Sequence, residues 1–133
     1  MERLDIKIVY SGVTVCAEFH NKLNLLSGFS GTGKTFLMQA IELYCLNEKI
    51  NCIYCDFRYM YFDEEQIKIM CKNAEVVLLD NADLYLTDSI LSWLKEQGKM
   101  LIICMKDTSY IDMEDMHEYI VSYENEKIII EEF

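Results

Sequence analysis

The sequence predicts an α/β fold: a mostly parallel sheet with helices on both faces, a three-layer sandwich, and antiparallel hairpins at the N- and C-termini. Three observations predict it. Through the middle of the chain, short apolar runs alternate with segments of helical character, the order that parallel βαβ connections produce. Runs such as Val76-Val77-Leu78-Leu79 and Met100-Leu101-Ile102-Ile103 are apolar at every position, as strands covered on both faces are. Turn signals stand near both ends, at Ser11-Gly12 and at Glu124-Asn125-Glu126, each between two strand-like runs. With 133 residues and no repeat, low-complexity tract or linker, residues 1–133 are expected to form one domain able to bury a real core.

Taken in order, residues 3–10 and 13–19 read as the first hairpin. Leu23 to Leu26 is a short apolar strand. Lys34 to Leu46 reads as a helix that is apolar on nearly every face, and so has little exposure. Ile50 to Cys55 is a second buried strand. Asp63 to Lys72 is a helix, with Asp63 as N-cap and acidic residues in its first turn. Val76 to Asp80 is a strand ending in a carboxylate. Thr87 to Gln97 is a helix stopped by Gly98. Met100 to Cys104 is another buried strand, and residues 112–117 are expected to make one helical turn. Tyr119 to Tyr123 and Lys127 to Glu132 form the closing hairpin.

Between the strand at Leu26 and the helix at Lys34 stands Gly28-Phe29-Ser30-Gly31-Thr32-Gly33-Lys34-Thr35, a full match to G-x-x-x-x-G-K-[ST]. Glycine makes up only about 7% of an average chain, so a chance match placed between a strand and a helix is rare. Glycines let the backbone approach a phosphate without a Cβ. The loop N–H groups, from Gly28 through Phe36, converge on phosphate oxygens at the positive end of the helix dipole. Lys34 reaches the β- and γ-phosphates and serves the chemistry there, and the Thr35 hydroxyl ligates Mg²⁺. Asp80, closing its apolar strand, is the expected second carboxylate that holds Mg²⁺ through water. The implied cofactors are therefore ATP and Mg²⁺.

On these motifs the chain resembles the P-loop NTPase superfamily over its central part. The terminal hairpins and the phrase Leu23-Asn24-Leu25-Leu26-Ser27-Gly28 leading into the loop look most like a stripped-down ABC-type ATPase head, with an AAA-type core next. Both families place a strand between the loop strand and the Asp80 strand, and residues 100–104 are the candidate for it. The chain departs from both. It has no LSGGQ-like signature, and arginine appears only at Arg3 and Arg58. The catalytic Glu that usually follows the strand Asp is here Asn81, an amide that takes no proton from water. Asp83 is the candidate substitute base, although a structural role as a turn or cap residue is preferred. A GTPase would show Asp-x-x-Gly and Asn-Lys-x-Asp, and the chain has neither. A nucleoside monophosphate kinase needs several arginines around the transferring group. Adenine is thus preferred to guanine, with Tyr10 as a candidate stacking residue.

The net charge of −11 repels the phosphates of nucleic acid and of an anionic membrane face. The expected partner beyond nucleotide is therefore a protein, and no direct nucleic-acid binding is expected. The chain has no run of 18 apolar residues, so no membrane insertion is expected. No export signal is recognised, which suits a cytoplasmic setting with reduced thiols. The pair Cys52-x-x-Cys55 sits in an apolar run without two further ligands, so buried small hydrophobes are the preferred reading over a zinc or redox site. His20 and His117 show no ligand spacing. The dense aromatic stretch Phe57 to Phe62 reads as core or lid packing, or as a partner-binding patch. Two functions stand: an ATPase with weak or partner-dependent hydrolysis, and a non-hydrolysing nucleotide-binding regulatory protein acting through a partner. A scaffold that has lost nucleotide binding is disfavoured by the intact Lys34 and Thr35.

Overall fold

In the computed structural model, which describes residues 1–27, 33–109, 111–112 and 114–132, the chain opens with β1 (Leu4–Tyr10) and β2 (Val13–Phe19). Strand β3 (Leu23–Ser27) precedes α1 (Lys34–Asn47). Then come β4 (Cys52–Cys55), a 3₁₀ turn (Phe57–Tyr61), α2 (Glu64–Cys71) and β5 (Val76–Leu79). A second 3₁₀ turn (Ala82–Leu84), α3 (Asp88–Glu96), β6 (Met100–Cys104), β7 (His117–Glu124) and β8 (Lys127–Glu132) complete the described chain. The eight strands form one sheet in the order β1-β2-β8-β7-β3-β6-β5-β4.

The centre of the sheet is parallel: β7, β3, β6, β5 and β4 run the same way. Strand β6 lies between β3 and β5, the place expected for residues 100–104. The hairpins β1–β2 and β7–β8 are antiparallel. Both turns use left-handed residues, Ser11 and Gly12 in the first and Asn125 and Glu126 in the second, as tight hairpins require. The hairpins are not appendages. Strand β2 pairs in parallel with β8, and β7 pairs in parallel with β3, so both are continuous with the central sheet.

Because strand side chains alternate in direction, the sheet builds two cores. Val76, Leu78, Met100 and Ile102 face α1, which inserts Leu37, Met38 and Ile41. Val77, Leu79, Leu101 and Ile103 face α2 and α3, which insert Ile67, Ile90 and Leu94. The result is a mixed α/β architecture with helices on both faces. Cys52 and Cys55 fall into opposite cores, so they do not form a paired site, and all six cysteines are free.

Local chemistry sets the helix ends. The Asp63 side chain accepts from the Gln66 N–H while Gln66 reaches back to the Asp63 N–H, a reciprocal cap on α2. Thr87 caps α3 through the Ile90 N–H. At the other end of α2, buried Lys99 donates to the carbonyls of Lys72 and Ala74. The helical turn expected over 112–117 is absent among the described residues of that stretch. Asp115 is left-handed, with φ 68°, and His117 already pairs with Asn24 of β3; sheet pairing outweighs local helical preference there. Both histidines are exposed and sit beside carboxylates, His20 on Glu18 and His117 on Glu132.

Candidate functional site

A cleft of about 850 Å³ opens at the C-terminal ends of β3, β5 and β6, beside the start of α1. Parallel strands place their carboxyl ends together, and ligands of open α/β sheets sit there. Ser27 closes β3, and Gly33, Lys34, Thr35 and Phe36 open α1 along one wall. Asp80, Asn81 and Asp83 form the opposite wall. No side chain caps the first turn of α1, so its N-terminal N–H groups suit an anion. Gly33 holds φ 93°, and a Cβ there would lie 3.1 Å from Ile128 Cδ1 of β8.

Among the described residues, Asp80, 2% exposed, accepts hydrogen bonds at both carboxylate oxygens. The Thr35 hydroxyl donates to Oδ2 at 2.8 Å, the Tyr54 hydroxyl donates to the same oxygen at 2.7 Å, and the Asn81 N–H donates to Oδ1 at 3.0 Å. The Tyr85 hydroxyl bonds the Asp80 carbonyl at 2.6 Å and the Cys55 carbonyl at 3.0 Å, fixing the ends of β5 and β4 together. Burial, with the bond to Asp80, pushes the Tyr54 phenol well above its ordinary range, so it remains a donor. Burial, with the Asp80 carboxylate, pushes the Cys104 thiol up to about 11 against the pull of Lys34. The donor set beside Thr35 is a carboxylate and a hydroxyl, hard oxygens that fit Mg²⁺.

Lys34, Thr35, Phe36, Gly33, Asp80 and Asp83 are thus brought to one cleft. Gly28, Phe29, Ser30, Gly31 and Thr32 lie outside the described residues. Asp83 sits inside the second 3₁₀ turn rather than capping it; the capping position is Asn81, whose φ is 52°. Tyr10 does not line this cleft. Its ring packs on Phe36, with centroids 4.9 Å apart, and faces the far side of α1 with Gln39 and Leu43. Lys106, Thr108 and Glu118 line the cleft although nothing in the sequence marks them: the first two stand on a loop, which carries no periodicity, and Glu118 arrives through the pairing of β7 with β3. Tyr54 was equally hidden: a tyrosine in an apolar strand reads as core, and its contact with Asp80 joins two strands distant in sequence.

No protein-family model matches the chain, and a comparison with curated proteins finds no match. Solved structures do match. The AMPPCP-bound DnaA of Aquifex aeolicus superposes with a TM-score of 0.50 at 21% identity, over 65% of this chain and 32% of that one. The fold resembles that of DnaA. A DnaA replication initiator bound to AMPPCP and single-stranded DNA matches with a TM-score of 0.48 at 21% identity, over 65% and 33% of the two chains. A DNA replication initiation factor does so at 0.48 and 20%, over 65% and 32%. The chain spans about a third of the length of these proteins. What is shared with DnaA is a P-loop NTPase-like arrangement of sheet and helices, which gives the ABC-type resemblance no specific support.

Proposed function

We propose that the chain binds ATP with Mg²⁺ in this cleft and hydrolyses it weakly, or only when a protein partner completes the site. The observation that carries the reading is the 2.8 Å bond from Thr35 to Asp80, which joins the end of the G-x-x-x-x-G-K-T motif to the carboxylate expected to serve the same metal. Lys34 and Lys106, which both line the cleft, offset the charge of the phosphates, and the uncapped start of α1 donates N–H groups to them. Thr35 and Asp80 are the residues that would hold Mg²⁺, which would offset the charge of the phosphates. The likeness to a DnaA chain that holds AMPPCP is consistent with this reading.

The same residues account for slow chemistry. Asn81 carries an amide where a base is expected, and its N–H is bonded to Asp80. Asp83 is the remaining candidate base on that wall, and Asp83→Asn distinguishes its roles: lost turnover with unchanged melting makes it the base. No arginine lines the cleft among the described residues, and an arginine supplied in trans is worth about 10³–10⁵ in rate. Steady-state phosphate release by the purified chain, with Lys34→Ala as background, is expected far below the roughly 10 s⁻¹ of a median enzyme. Turnover near that value would contradict the assignment. A second reading, a nucleotide-dependent regulator that never hydrolyses, is favoured by Asn81 and predicts no release above background even with the partner present. Competition against a fluorescent ATP analogue tests the base: ATP is expected to displace it better than GTP. A cytoplasmic location and a direct role for protein partners rather than nucleic acid belong to the same proposal; among the described residues, no helix is long and apolar enough to cross a membrane.

A further inference from the structure

The aromatic stretch after β4 folds as a 3₁₀ turn that buries one ring and presents the rest. Tyr59 is 7% exposed, whereas Phe57, Met60 and Tyr61 are 52%, 46% and 77% exposed. Tyr59 contacts both Phe62 and Tyr85, with centroids 5.1 Å and 5.8 Å away, so the exposed side chains stand on a packed base. Leu84, 48% exposed, rises from the second 3₁₀ turn. A groove of about 760 Å³ runs between these two turns and the starts of α2 and α3. Met60, Phe62 and Leu84 supply its apolar wall. Its charged lining is Asp63, Glu64, Asp83 and Asp88, with no lysine or arginine among the lining residues.

Contiguous exposed apolar side chains of this kind mark interaction surfaces. The acidic rim selects the occupant. It repels nucleic-acid phosphates and anionic lipid, and a second copy of a chain with net charge −11 is repelled as well. We propose that this groove docks a cationic amphipathic segment of a partner protein. Apolar side chains of that segment rest on Met60, Phe62 and Leu84, and its lysines or arginines face the acidic rim. Asp83 lines both this groove and the cleft described above, so the docked segment lies at the edge of that cleft. The proposal does not depend on nucleotide binding.

The test uses the whole chain without nucleotide and two synthetic amphipathic helical peptides, one of Leu and Lys, the other with Glu for Lys, followed by fluorescence anisotropy. The Lys peptide is expected to bind and the Glu peptide is not. Met60→Ser and Leu84→Ser, at half-exposed positions and neutral in charge, are each expected to weaken binding about tenfold or more with unchanged melting. Methyl NMR of the unsubstituted chain is expected to show peptide-induced shifts concentrated at Met60 and Leu84, a readout independent of the variants. Equal binding by both variants would mean that charge alone attracts the peptide and would overturn the proposal. So would absence of binding, shifts elsewhere on the surface, or self-association of the chain that Met60→Ser abolishes.

Discussion

Asp80 is the residue on which the site turns, and its surroundings make a prediction about Tyr54. A hydrogen bond to a buried carboxylate contributes about 1.5–3 kcal/mol. Tyr54→Phe removes the phenol donor on Oδ2 and leaves the Thr35 hydroxyl in place. Urea unfolding is therefore expected to show a loss of about that size, with the m-value unchanged. Tyr44→Phe, at a phenol of α1 only partly buried against the core, is expected to change stability by less than about 0.5 kcal/mol. Equal effects would mean that the Tyr54 hydroxyl does not hold Asp80. At this scale the sequence was informative where chemistry is local. Lys34, Thr35 and Asp80 follow from a motif and a strand end. Tyr54 reaches Asp80 only through pairing of β4 with β5, Glu118 reaches the cleft through pairing of β7 with β3, and Lys106 through the loop beyond β6; no short spacing announces that.

Among the elements, α1 depends on Gly33 for two separate reasons. The residue is left-handed, and its missing Cβ leaves room for Ile128 at 3.1 Å. Any side chain there pays for strain in φ and crowds β8. Gly33→Ala is expected to cost more than about 1 kcal/mol, measured by denaturant unfolding, and to weaken nucleotide binding by displacing the start of the helix. A neutral substitution would show that β8 yields freely at this point. The glycine that the sequence assigns to phosphate approach is thus also a packing residue. Most elements were legible because their signals are periodic or terminal: uniformly apolar β5 and β6, the Asp63 cap, the Gly98 stop, and both hairpin turns. The parallel joints β2–β8 and β3–β7 were not legible, since they pair residues about a hundred positions apart or set two hairpins side by side. The same joint explains the strand at His117 where one helical turn was expected.

For the whole molecule, burial of titratable groups makes stability depend on pH at the alkaline end. Folding raises Cys104 from an ordinary 9.0 to about 11, chiefly by burial, and raises Tyr54, Tyr59 and Tyr85 by the same cause. In each, the unfolded chain releases its proton first. The stabilisation is fully present below the unfolded value and is lost as pH rises through the folded one. Melting temperature is therefore expected to fall from about pH 9 upward. Cys104→Ser is expected to flatten the first part of that fall, and an unchanged profile would assign it to the other buried phenols and thiols.

The two cores, one on each face of the sheet, leave the cleft at the strand ends as the place where a bound ligand stabilises the entire fold. The measurement that tests the central claim most directly is the melting temperature of the chain with and without Mg·ATP. A ligand that binds only the native state at a hundredfold excess over its Kd stabilises it by about 2.7 kcal/mol. For a chain of 133 residues that is a rise of roughly 10 °C. The account predicts such a rise for the unsubstituted chain and none for Lys34→Ala of equal intrinsic stability. No rise with millimolar ATP, ADP, GTP or GDP in the presence of Mg²⁺, or an equal rise in Lys34→Ala, would contradict it.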